Sequence, residues 1–129
     1  MCSSDLVEMD RTGSMGLVHG AGLALLTPRP AVIGPDLEAF PEPLRDVDAA
    51  RFDAILARVG TSPEIDYRND AVTVAAMVAK GAADAAVLLR PVSVAQIDTV
   101  AEAGLRMPQK TTFFQPKPLT GLVFRSLDL

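Results

Sequence analysis

Proline placement constrains this chain more than any other feature. A proline fixes φ and donates no backbone hydrogen bond, so helix interiors and central strands exclude it. Pro28, Pro30, Pro35, Pro41 and Pro43 leave residues 28–43 as an irregular crossing, with room for one helical turn near Asp36 to Phe40. Pro91 closes whatever strand precedes it, and Pro108, Pro116 and Pro118 make Met107–Pro118 a loop. Long regular elements must fall between these boundaries.

Before the first boundary, Met15–Val18 and Leu23–Thr27 are short apolar runs separated by His19-Gly20-Ala21-Gly22. Two glycines in so short a connection permit positive φ, which predicts an N-terminal β-hairpin. Beyond residue 44, Phe52, Ile55, Leu56 and Val59 recur at helical spacing, with Asp46 or Asp48 to cap the helix and Gly60 to stop it. Ile65–Arg68 is a short strand candidate. Asn69 or Asp70 caps a second helix, Ala71–Lys80, stopped by Gly81. Its surface is apolar nearly all round, so burial between layers is expected. Ala82–Leu89, interrupted only by Asp84, has the continuous apolar texture of a central strand buried on both faces. Ser93-Val94-Ala95-Gln96 spells a capping box opening a third helix, with Val94, Ile97, Val100 and Ala101 inward and Gly104 as its stop. Gly121–Arg125 reads as a closing strand.

With no Trp, one Tyr and five Phe, the core must be built from small aliphatic side chains. Such side chains suit helices layered on a sheet better than an aromatic-rich sandwich. The predicted fold class is α/β or α+β: a mixed sheet with helices packed on it and an N-terminal hairpin. Residues 15–129 form the C-terminal part of a single domain. Residues 1–14 are expected to be a disordered or artefactual lead-in, because Cys2-Ser3-Ser4-Asp5-Leu6 is what one reading frame of a sequencing adaptor encodes. On that reading, library sequence has been joined to a truncated gene.

Several function classes are disfavoured. A net charge of −4 with no dense Lys/Arg cluster gives no footprint for a nucleic-acid backbone. One cysteine, Cys2, excludes an internal disulfide framework and fits a reducing cytoplasm. The longest uncharged apolar stretch, Ala71–Ala79, is far short of the roughly 20 residues that span a bilayer. The opening residues lack the basic and apolar regions of a signal peptide.

The remaining chemistry is sparse. Gly104–Thr111 nearly spells a phosphate-binding P-loop, but Gln109 stands where the second glycine is needed and no helix follows. His19 is the only histidine, so no ordinary zinc set can be assembled, and a solvated turn histidine is its plainest role. No cofactor signature is evident. Asp84 within an apolar run requires a partner, for which Arg68 and Arg90 are the candidates. The loop beginning at Met107 carries most information. Lys110, with the hydroxyls of Thr111 and Thr112 and with Lys117, forms a candidate anion-binding set. Alternatively, Phe113 and Phe114 pin the loop over the core and both lysines are merely solvated.

This segment resembles the C-terminal signature of the bacterial domain of unknown function 1015 family, Met-Pro-x-Lys-Ser-Thr-x-Phe-x-Pro-Lys-x-x-Thr-Gly-Leu. Met107, Pro108, Lys110, Thr112, Phe114, Pro116, Lys117, Thr120, Gly121 and Leu122 match in place, and Thr111 stands where the family often has serine. Softer likeness at Ile65-Asp66-Tyr67, Gly81–Ala86 and Pro91 extends it over residues 46–127. The resemblance implies a longer protein with an upstream Asp-Gly-His-His-Arg segment, similar to that of ParB-like proteins, among which are free-serine kinases. That segment is absent here. Two readings follow. One is a small-molecule phosphotransferase whose main catalytic residues lie outside this chain, with a phosphorylated or carboxylated metabolite touching the loop; this fragment alone would then be inactive. The other is a non-catalytic structural or ligand-binding domain.

Overall fold

The computed structural model describes residues 3–60 and 62–112. Their elements, in chain order, are α1 (Ser3–Thr12), β1 (Met15–His19), β2 (Gly22–Leu26), α2 (Pro30–Leu37), a 3-10 turn (Glu42–Leu44), α3 (Asp48–Val59), α4 (Ala71–Ala79), β3 (Ala86–Leu88) and α5 (Val94–Glu102). The architecture is α+β: five helices packed around one open sheet of order β2-β1-β3.

The predicted hairpin forms, with a positive φ (132°) at Gly22 but not at Gly20. Met15 pairs with Leu26 and His19 with Gly22, leaving Gly20 and Ala21 as the two-residue turn. β3 then adds to the other edge of β1, pairing Gly16 with Leu88 and Val18 with Ala86. Gly16 is central to this three-strand contact. A Cβ there would lie 3.3 Å from side-chain atoms of both Leu23 and Leu88, so the small residue lets the two neighbours close over it. Both pairings are antiparallel. The sheet is therefore not mixed, and β1, not the 82–89 segment, is its central strand.

At the N-terminus α1 packs against β1, and its Met9 is buried. Other expectations are corrected by the same packing. Residues 28–43 hold a two-turn helix, α2, which packs on α3. Pro30 sits in its first turn, where the missing N–H had no partner to lose. Pro35 lies in the interior, and the helix stops three residues later at Glu38. The Ile65–Arg68 segment joins no sheet among the described residues, and Ile65 and Tyr67 are exposed. The 82–89 run yields only the three residues of β3, with Asp84 exposed in the bend before it. α4 contacts β1 and β3, but only Val78 is buried and Val72 is 72% exposed. One layer covers α4, not two.

α3 turns a different face inward from the one its large residues mark. Ala50 and Ala54 are buried, Phe52, Ile55 and Leu56 are half-buried, and Val59 is exposed. Small residues allow the closest approach of helix to neighbour. Ala50 belongs to a cluster with Leu44, Val47 and Val100, on which Phe40, Val92, Leu105 and Met107 pack. Within α5, accordingly, Val100 is buried while Val94 lies outside. Gly60 and Gly104 follow their helices with φ of 71° and 68°, the left-handed stop that glycine supplies without strain.

Candidate functional site

Two places gather polar side chains. The first is a cleft of about 270 Å³ where the N-termini of α3 and α5 meet the end of β3, lined by Asp10, Asp46, Asp48, Arg90, Ser93 and Gln96. Asp48 does not cap α3; Val47 is the cap residue and offers no side-chain bond. The Asp48 side chain is only 3% exposed and faces Arg90. Its Oδ2 accepts from the Arg90 backbone N–H at 2.9 Å and from Nε at 3.0 Å, and its Oδ1 accepts from Nη2 at 2.5 Å. Arg51 adds a longer ion pair to Asp48 at 3.6 Å and a closer one to Asp46 at 2.5 Å. The Asp48 hydrogen bonds hold the Arg90 guanidinium even further above its ordinary value, against the opposing effect of burial.

Two further lining residues are committed as well. Ser93 and Gln96 complete the predicted capping box: Gln96 N–H donates to Ser93 Oγ at 3.2 Å, and Ser93 N–H donates to Gln96 Oε1 at 2.9 Å. Gln96 Nε2 also donates to the Asp46 carbonyl at 3.0 Å. Together with the Asp48–Arg90 pair, these bonds tie α5 and the second residue after β3 to the start of α3. Chemically, the cleft is a closed electrostatic lock.

The second place is the segment after α5. Gly104 N–H donates to the Ala101 carbonyl at 2.9 Å and Leu105 N–H to that of Val100 at 3.0 Å, fixing the exit from the helix. Leu105 and Met107 then pack on the Val100 cluster, so this backbone is anchored. A turn follows in which the Thr111 hydroxyl donates to the Pro108 carbonyl at 2.7 Å and its N–H reaches the same oxygen at 3.4 Å. Lys110, at the tip, is exposed and has φ of 60°. It is the only non-glycine with positive φ among the described residues.

Lys110 and Thr112 are exposed on one short turn, while the Thr111 hydroxyl is spent on closing it. Lys117, Phe113, Phe114 and the Gly121–Arg125 strand lie outside the described residues. The expected pairing of Asp84 is overturned: Arg90 bonds Asp48 and Arg68 bonds Asp66. Asp48 was hidden because a helix-start aspartate is already explained by capping. A spare acid beside Asp46 was the available clue, since one helix needs only one cap. His19 is the last residue of β1, and its Nδ1 accepts from the Ala21 N–H at 3.3 Å. Among the described residues no group of His, Cys, Asp and Glu is placed to hold a metal ion, and no helix is long and apolar enough to cross a membrane. No protein family, curated protein or solved structure matches the chain.

Proposed function

We propose that the Pro108–Thr112 turn is an anion contact for a small phosphorylated or carboxylated metabolite. The ligand is held by a longer protein of which this chain is the C-terminal part, and the resemblance in its signature segment makes phosphoryl transfer the expected chemistry there. What supports the reading is the backbone of Lys110. A left-handed conformation costs a non-glycine residue about 1–2 kcal/mol, and glycine would occupy it freely. Such strain persists where a side chain is needed at that point. Here the side chain is an exposed ammonium, beside the exposed Thr112 hydroxyl on an anchored backbone. A preorganised donor loses less freedom on binding than a mobile one.

The test is Lys110→Gly, which keeps the positive φ and removes the side chain with its charge. Titration calorimetry with inorganic phosphate and with citrate should give at least tenfold weaker binding for the variant, with an unliganded melting temperature equal to or above that of the parent. An unchanged isotherm sinks the proposal. The competing reading, a packing element without a ligand, draws on the half-buried Leu105 and Met107. It expects the same substitution to stabilise the protein with no binding to lose.

A further inference from the structure

The outer edge of β2 is open. β2 borders β1 on one side, and among the described residues no backbone hydrogen bond joins its other side to anything. The register says which groups are free. A two-residue loop closes on a hydrogen-bonded pair, here His19–Gly22, and bonded pairs then alternate, at Leu17–Ala24 and Met15–Leu26. Leu23 and Leu25 therefore turn their N–H and C=O groups away from β1. By the same alternation Gly16 and Val18 turn to Leu88 and Ala86 of β3, so the free edge of β3 presents only Val87.

Exposed edges are ordinarily blunted by a lysine, a proline or a bulge. β2, Gly22-Leu23-Ala24-Leu25-Leu26, has none of these, and its ladder with β1 runs unbroken from end to end. No Asp, Glu, Lys or Arg occurs anywhere in residues 12–28. Leu25 is 39% exposed. Leu23 shares its face, because strand side chains alternate, and lies beside Leu88 over Gly16. The edge is thus unpaired, apolar and uncharged.

We propose that two copies of this chain associate through β2, the strands running antiparallel about a two-fold axis at Ala24. A second copy fits because β2 is complementary to itself. With the axis at Ala24, Leu23 stands opposite Leu25 of the other copy, so both outward residues of the strand find outward partners. Each such pair exchanges both of its N–H···O bonds, and the two three-stranded sheets become continuous. A slip of one residue would set Leu23 against Ala24, whose backbone already bonds Leu17. Identical edges meet here without the like-charge repulsion that a charged strand would bring against its own copy. A ladder this short belongs with interfaces under about 1,200 Å², which are weak and reversible, so association depends on concentration.

The experiment is sedimentation equilibrium of the 129-residue chain from about 5 to about 500 µM, with amide hydrogen exchange at both ends of that range. The mass should rise from 13.6 kDa toward twice that value. The Leu23 and Leu25 amides should exchange about threefold more slowly at the higher concentration. Leu25→Lys, which puts a charge on the edge, should hold the mass at 13.6 kDa throughout. Leu25→Pro removes an outward N–H and no bond to β1, and should do the same, so a folding failure in one variant leaves the other to decide. A parent that stays monomeric at about 500 µM overturns the proposal, whether the two amides exchange freely or are protected at every concentration by another segment. Dimerisation that persists in both variants puts the interface elsewhere and overturns it as well.

Discussion

Replacing Asp48 with alanine is the sharpest test of how this fold is held together. The substitution removes a carboxylate that accepts three hydrogen bonds from Arg90 and attracts Arg51. The methyl group itself is tolerable at the site; the cost is what remains. The Arg90 backbone N–H loses its acceptor, and a part-buried guanidinium loses its main counter-charge. Removing one partner of a buried pair costs about 3–5 kcal/mol. The Arg90 side chain is 21% exposed, so water reaches it, and Asp46 and Asp10 also attract it. The lower end, about 3 kcal/mol, is the expectation. In a domain of this size that should lower the melting temperature by about 10–15 °C. Urea unfolding followed by circular dichroism, on Asp48→Ala, Arg90→Leu and the double variant, measures the coupling directly. A coupling energy above about 1.5 kcal/mol is expected, with the double variant less unstable than the sum of the singles. Asp48→Asn, which keeps an acceptor for the Arg90 N–H, should fall between parent and alanine. If Asp48→Ala costs under about 1 kcal/mol, the pair is screened like a surface ion pair and the lock argument fails.

Two further outcomes follow from local geometry. The Thr73 hydroxyl, with the amides of Thr73 and Val72, holds the Asp70 carboxyl below the usual carboxylate range. A depressed carboxyl stabilises the start of α4 above its unfolded pKa of about 4 and loses that effect as pH falls through the folded value. Hydrogen exchange at residues 72–75, corrected for intrinsic rates, should therefore quicken below about pH 4; the same acid dependence in Asp70→Ala would show that another group is responsible. The second concerns residues 62–70, which form no helix or ladder and are exposed throughout. Brief trypsin treatment should cut first after Arg68, with 1–68 and 69–129 staying associated through the β1–β3 ladder and the Asp48–Arg90 lock. A first cut after Arg45 or Arg58 would contradict this.

Local rules in the sequence were sufficient where an element is decided by its own residues. The hairpin follows from two glycines between apolar runs, α4 begins at a cap that Asp70 makes with Val72 and Thr73, and α5 opens on the Ser93–Gln96 box. The turn containing Lys110 was visible as a constrained, cationic loop, because prolines and lysines declare themselves without a partner. Its left-handed backbone was not, since nothing in a lysine requires it.

What only the tertiary structure decided depends on residues far apart in sequence. The 82–89 run is apolar enough for a central strand, yet one three-residue stretch finds a ladder, because β1 already holds β2 on its other edge. Ile65–Arg68 has strand composition and no neighbouring strand among the described residues to pair with. The bulky face of α3 predicts its burial wrongly, since the alanine face permits closer packing on Val47 and Val100. Asp48 and Arg90, 42 residues apart, become partners only once β3 ends beside the start of α3. Propensity and capping are short-range energies that a sequence carries within a few residues. Strand pairing and the burial of a charge depend on which surfaces meet, and the folded chain alone fixes that.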